Sequence, residues 1–256
     1  MADMNLTVSH SPLHPGARIL AAGALAFGVV GAALALLLAS LFAAGLVPGR
    51  VVALSAAGFV AASALVLVAL RRGRPGMAAF GGCNRVTTLR LGMAAALGGA
   101  VAAPDLVAPH GVLAWPALGL AVTALILDGV DGWMARRSGL SSAFGARFDM
   151  EVDAATIMIL SILAWQTGQA PAWVLALGLM RYAFVLGGLR WAFLRADLPP
   201  SFRRKVVCVV QVVALAAVLT PVIVPPVTTA IAGAALVALT WSFAVDVRWQ
   251  WRTGKT

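Results

Sequence analysis

Five of the nine acidic residues in this 256-residue chain crowd into one stretch: Asp128, Asp131, Asp149, Glu151 and Asp153. Asp128 and Asp131 stand at i,i+3, and Asp149 and Asp153 at i,i+4, so on helices each pair shares one face. Glu151 falls on another face of its helix and stays outside the site. Four carboxylates drawn together repel one another until protons or cations neutralise them. An all-oxygen donor set favours Mg²⁺ or Mn²⁺ over zinc. His10, His14 and His110 are distant in sequence, and Cys83 and Cys208 form no ligand pair. Four carboxylates suit two metal ions, and two-metal sites commonly handle phosphoryl chemistry. Gly132, Ala135 and Gly145 lie beside these acids or one turn away, and small residues there let a flat or phosphorylated group approach the backbone.

Convergence of the pairs requires two antiparallel neighbouring helices, and the composition says what kind. Hydrophobic residues make up 61% of the chain and charged residues 11%; mean hydropathy is +0.95. A soluble globule carries about a quarter charged residues, so a soluble enzyme and a disordered chain are excluded. Two cysteines are too few for a disulfide scaffold. The net charge of +10 would suggest nucleic acid in a soluble protein; in a membrane protein it follows from positively charged cytoplasmic loops and anionic headgroups.

The expected fold is all-α, a polytopic helical membrane protein. Apolar runs predict eight spans, at about 19–46, 51–70, 88–104, 111–134, 144–166, 171–193, 206–224 and 226–246, separated by Pro and Gly turn signals. The first run is too long for the apolar stretch of a signal peptide. With both termini inside, all Arg and Lys except Arg50 and Arg181 fall at cytoplasmic ends. The expected organisation is a cytoplasmic tail 1–18, two N-terminal spans in 19–70, an interfacial segment 71–87, a six-span catalytic core 88–246 and a cytoplasmic tail 247–256. Acids at membrane depth default to a functional reading.

The stretch Asp128-x2-Asp131-Gly132-x2-Ala135-Arg136-x8-Gly145-x3-Asp149-x3-Asp153 resembles, position for position, the signature of the CDP-alcohol phosphotransferase family. Asn84-x2-Thr87-x2-Arg90 resembles another segment common among its members, and residues 80–246 are similar to its six-span core. The resemblance implies phospholipid synthesis: a phosphatidyl-type group leaves a CDP-linked donor, CDP-diacylglycerol in the first instance, for an acceptor hydroxyl, and CMP is released. It implies that Asp128, Asp131, Asp149 and Asp153 hold two divalent ions, with Asp153 also the general base. Asn84, Thr87, Arg90, Gly132, Ala135, Arg136 and Gly145 then line the nucleotide site. A homodimer is implied, and a bacterial inner membrane with the site facing the cytoplasm is the expected location. A CDP-choline or CDP-ethanolamine donor with a lipid acceptor is the alternative within the family. A cation- or proton-coupled secondary transporter is the alternative outside it, although such sites tend to lie at mid-membrane between repeated halves.

Arg147, Arg181, Arg190 and Lys205 are candidates for the acceptor site. Arg181 is the odd one, because an arginine within a span is costly unless it faces a cavity or a carboxylate. Arg203 and Arg204 read as cytoplasmic anchoring, and Asp246 as a partner for a C-terminal arginine or simply the end of a span. In several members that use phosphorylated acceptors a basic residue follows the last motif aspartate; here Ala154 does. Both cysteines read as packed thiols.

Overall fold

A computed structural model describes residues 15–72, 79–138, 142–196, 198–199 and 201–253. The described residues contain eight α-helices and no strand: α1 (Pro15–Ala43), α2 (Gly49–Arg72), α3 (Gly82–Ala100), α4 (Ala114–Ser138), α5 (Ala143–Gln166), α6 (Leu175–Arg190), α7 (Phe202–Val218) and α8 (Val227–Thr253). Each contains most of one predicted apolar run. The chain reverses between them at points its sequence marks. Gly45, with φ +70°, turns α1 into α2, and Gly168, with φ +72°, follows the end of α5; both are left-handed positions that glycine takes without strain.

Five helices are long and apolar enough to cross a membrane: α1, α2, α4, α6 with the turn before it, and α8. Helices α3, α5 and α7 differ for a physical reason. Each buries several polar residues against other helices, among them Asn84 and Arg90 on α3, Thr156 and Ser161 on α5 and Gln211 on α7, which lowers its apolar content. Helix α3 packs on α1, α2, α4 and α5, while α5 packs on α3, α6 and α7. Asn84, Thr87, Thr88 and Arg90 on α3 are all buried. This also explains why α3 starts at Gly82, six residues before the apolar run: its first turns are polar because they face protein. Thr88 settles its hydroxyl by donating to the Asn84 carbonyl at 2.8 Å.

Two apolar clusters hold the bundle. One joins α5 to α8 around Leu160, Ala164, Val174, Leu215 and Ala232. The other ties the first two helices to α3 and α5 through Phe27, Phe59, Leu91, Phe148 and Val152. The Phe27 ring lies 6.3 Å from Phe80 and 6.1 Å from Phe148, a spacing at which tilted aromatic pairs attract. Backbones approach closely at Gly99, where a Cβ would stand 2.0 Å from Ser55 Oγ and 2.7 Å from the Val51 carbonyl. Only glycine permits that contact between α3 and α2.

Helix α8 continues past the expected boundary at 246 to Thr253. Gln250 gives the reason. It is buried, and its Nε2 donates to the carbonyls of Leu194 and Ala196 at 3.2 and 2.8 Å, clamping the α6–α7 connection. Of the expected segment 71–87, Arg71 and Arg72 finish α2 and residues 82–87 open α3. Residues 73–78, like the tail 1–14 and the last three residues, lie outside the described residues.

Candidate active site

Asp128 sits in the C-terminal half of α4, while Asp149 and Asp153 occupy consecutive turns near the start of α5. Ser142 caps α5: its hydroxyl accepts from the Gly145 N–H at 3.0 Å. This fixes the register in which 149 and 153 turn toward Asp128; α4 and α5, expected to pack directly on one another, instead each pack on α3. One carboxylate oxygen from each of Asp128, Asp149 and Asp153 lies within 4.8 Å of the others. Asp131 follows Asp128 by one helical turn; its side chain lies outside the described part of the structure, as do those of Ala135 and Arg136.

Arg90 reaches into this group from α3. Its Nη1 lies 3.0 Å from Asp128 and 2.5 Å from Asp149, and its Nη2 pairs with Asp153. The guanidinium side chain is 5% exposed, against 24%, 35% and 18% for the three aspartates. One guanidinium therefore faces three carboxyl groups. The donors are all oxygen, and no His or Cys of the described residues shares the cluster. An oxygen-rich, electron-rich, half-buried nest of this kind fits Mg²⁺ or Mn²⁺. Behind it Ala124, Thr156, Cys208 and Val212 close the space to about 10 Å³, room for no more than about one water. The Cys208 thiol stands 3.7 Å from Asp153.

The nest opens sideways into a cavity of about 460 Å³ between α5, α6, α7 and α8. Of the three clustered carboxylates, Asp153 is the one that also lines this cavity. Its wall is mostly apolar, with Phe184, Leu239 and Phe243, and carries Arg181, Arg204, Gln211, Ser242 and Asp246 as polar groups. Ala154, at the position after the last motif aspartate, is buried in the same wall.

The sequence-derived residues distribute unevenly. Arg90, expected at the nucleotide site, is paired with the three carboxylates. Asn84 stands against Gly145, whose missing Cβ would lie 2.8 Å from Asn84 Oδ1; the glycine makes room for a side chain of α3. Thr87 is buried beside Asn84, and its hydroxyl donates to the Cys83 carbonyl at 3.0 Å. Gly132 holds its place on α4 beside Asp131. Among the four acceptor candidates, Arg181 lines the cavity and pairs with Glu151, the acid set aside on spacing. Arg190 and Lys205 are exposed and do not line it. Arg147 lines a different cavity, on the other side of α5.

Two polar groups of the cavity, Asp246 and Gln211, were not among the expected site residues. Asp246 pairs with Arg203 at 2.5 Å and Arg204 at 3.2 Å, not with a C-terminal arginine. Arg203 also donates to the Ser242 hydroxyl at 2.6 Å. Gln211 is buried, and its Nε2 has no hydrogen-bond partner. A signal existed for the first: Ser242, Asp246 and Gln250 recur every four residues and form one polar stripe on an apolar helix.

A family model described as CDP-alcohol phosphatidyltransferase matches residues 83–245, which include α4, most of α3, α5, α6 and α7, and all of the residues just described around the carboxylates except the last turns of α8. No curated relative and no solved structure matches the chain. With the greater part of its length matched and the carboxylate nest inside the match, the chain belongs to the CDP-alcohol phosphatidyltransferase family and is a phosphotransferase enzyme.

Proposed function

We propose that this enzyme transfers a phosphatidyl group from CDP-diacylglycerol to the hydroxyl of an acceptor alcohol, releasing CMP, with Mg²⁺ or Mn²⁺ held by Asp128, Asp131, Asp149 and Asp153. The observation that carries the reading is the meeting of Asp128, Asp149 and Asp153 within 4.8 Å, three carboxyl groups around the one guanidinium of Arg90. Bound divalent ions would neutralise the diphosphate and the charge that develops on the departing CMP. Membership of an enzyme family sets the transporter reading aside.

The chain's own residues divide the work. Asp153 borders both the nest and the large cavity, so an acceptor in that cavity presents its hydroxyl to a carboxylate. Asp153 takes the hydroxyl proton as the acceptor oxygen attacks phosphorus. The phosphoanhydride P–O bond breaks and its electron pair leaves with CMP. Arg181 and Arg204 line the acceptor cavity, Arg204 with its partner Asp246 in the same wall and Arg181 paired with Glu151 outside it, and Gln211 offers an amide donor. The nucleotide rests on the cytoplasmic ends of α3, α4 and α5, near Asn84, Thr87, Gly132, Ala135, Arg136 and Gly145. The membrane places the acyl chains beside the bundle, while CMP leaves into water. Two copies form the working dimer.

The test is CMP release by purified protein from CDP-diacylglycerol across a panel of alcohols, with and without Mg²⁺ or Mn²⁺. Metal-dependent release that disappears in Asp149→Asn supports the assignment. Release from CDP-choline or CDP-ethanolamine in place of CDP-diacylglycerol would move it to the other donor class. Release without metal would overturn the metal role.

A further inference from the structure

A second cavity, about 660 Å³, lies against the opposite side of α5, and it shares no lining residue with the first. Leu65, Val66 and Ala69 of α2 form one wall, and Phe144 and Val152 of α5 the other. Its size falls in the ordinary range for bound small molecules, about 300–1,000 Å³. Most of its wall belongs to the last turns of α2 and the first turns of α5, with Leu91 of α3 and Tyr182 of α6 completing it, at the end of the bundle that carries the aspartate nest.

Charge at this groove is one-sided. Glu151, on its wall, is already paired with Arg181. Arg147 is exposed, in the second turn of α5, and makes no ion pair or hydrogen bond with a described residue. Tyr182, on α6, also lines the groove. The groove is thus a largely apolar slot with a free guanidinium near its headgroup-side end. Such a shape and charge complement one class of molecule in a bilayer: an apolar body bearing an anionic phosphate.

We propose that this groove is a binding site for an anionic phospholipid of the surrounding bilayer, its phosphate on Arg147 and an acyl chain lying between α2 and α5. The site is separate from the catalytic cavity and does not depend on the donor or acceptor. It also gives the first two helices a role, since α2 supplies a wall that the matched region lacks.

The experiment uses the full-length protein, delipidated in detergent and titrated with phosphatidylglycerol or phosphatidylcholine, with bound lipid counted by native mass spectrometry. Phosphatidylglycerol should bind more tightly than phosphatidylcholine. Arg147→Gln should weaken phosphatidylglycerol about fivefold, the effect of one basic residue at a membrane surface, and leave phosphatidylcholine unchanged. Arg248→Gln, at an exposed arginine on α8, should leave both unchanged. Ala69→Trp should fill the groove and reduce both lipids. Equal losses from Arg147→Gln and Arg248→Gln would mean diffuse surface attraction and overturn the site. So would full lipid retention in Ala69→Trp, or a change in its oligomeric mass without lipid loss, which would make the groove a contact between copies. Should Ala69→Trp fail to fold, the comparison of the two surface variants decides alone.

Discussion

Asp153 belongs to two environments, the carboxylate nest and the acceptor cavity, and its substitution should separate them. Asp153→Asn removes the proton acceptor while keeping an oxygen donor. CMP release should fall about 10²–10⁴-fold, the usual contribution of a positioned base, with Mg²⁺ still raising the melting temperature. Loss of the metal response together with activity would assign Asp153 to metal binding alone. Arg90 is the internal counter-ion of the same nest. Arg90→Ala leaves three carboxylates facing one another, which should cost about 3 kcal/mol, the low end for a broken buried ion pair because the aspartates remain partly open to water. Added Mg²⁺ should recover more melting temperature in Arg90→Ala than in the parent; an equal response in both would show that Arg90 does not balance the site. Gln211 carries a buried, unpartnered amide, a group that costs about 1–3 kcal/mol when unsatisfied. Gln211→Leu should therefore melt no lower than the parent while raising the acceptor KM, and a lowered melting point with unchanged KM would contradict the assignment of that amide to the acceptor.

Among the helices, α3 is the one that every other part of the site depends on. It brings Arg90 to the aspartates, seats Asn84 against Gly145 and holds α2 by a glycine contact. The last of these can be broken alone. Gly99→Ala puts a methyl group where Ser55 Oγ and a backbone carbonyl already are, so α2 must move. The expected cost is about 1–3 kcal/mol, as for other overpacked contacts, read as a lower melting temperature. Gly99 lies at the end of α3 away from Arg90, roughly 14 Å along the axis at 1.5 Å per residue, so CMP release per folded molecule should stay close to the parent's. A large fall in turnover with unchanged melting would show that α2 is coupled to the chemistry.

At the scale of the molecule the carboxylates, the Arg203–Asp246 pair and the Gln250 clamp all lie at one end of the bundle, where the basic residues of alternate helix ends also gather. From the basic bias we propose that this end lies in the cytoplasm. It can be tested by single cysteines in a Cys83→Ser, Cys208→Ser background. A membrane-impermeant maleimide should label Arg50→Cys in intact cells and Thr253→Cys only after permeabilisation. The opposite pattern would invert the topology and put the nest on the wrong side for a CDP-linked substrate.

Sequence alone determined the helical class, the places where the chain turns and the pairing of the acids. These are local properties: apolar run length, glycine and proline chemistry, and the period of a helix. It also brought out the family signature on α4 and α5, because that signature is a matter of spacing within two consecutive helices. The tertiary structure decided what meets across helices far apart in the chain. That Arg90, expected at the nucleotide site, pairs with three aspartates was decided there, since which side chain of α3 reaches α4 and α5 depends on how the helices pack. Arg147 and Arg181, both expected near the acceptor, fell on opposite sides of α5 for the same reason. Asp246 and Arg204 entered the cavity wall because α7 and α8 fold back beside α5, a juxtaposition that no spacing along the chain encodes.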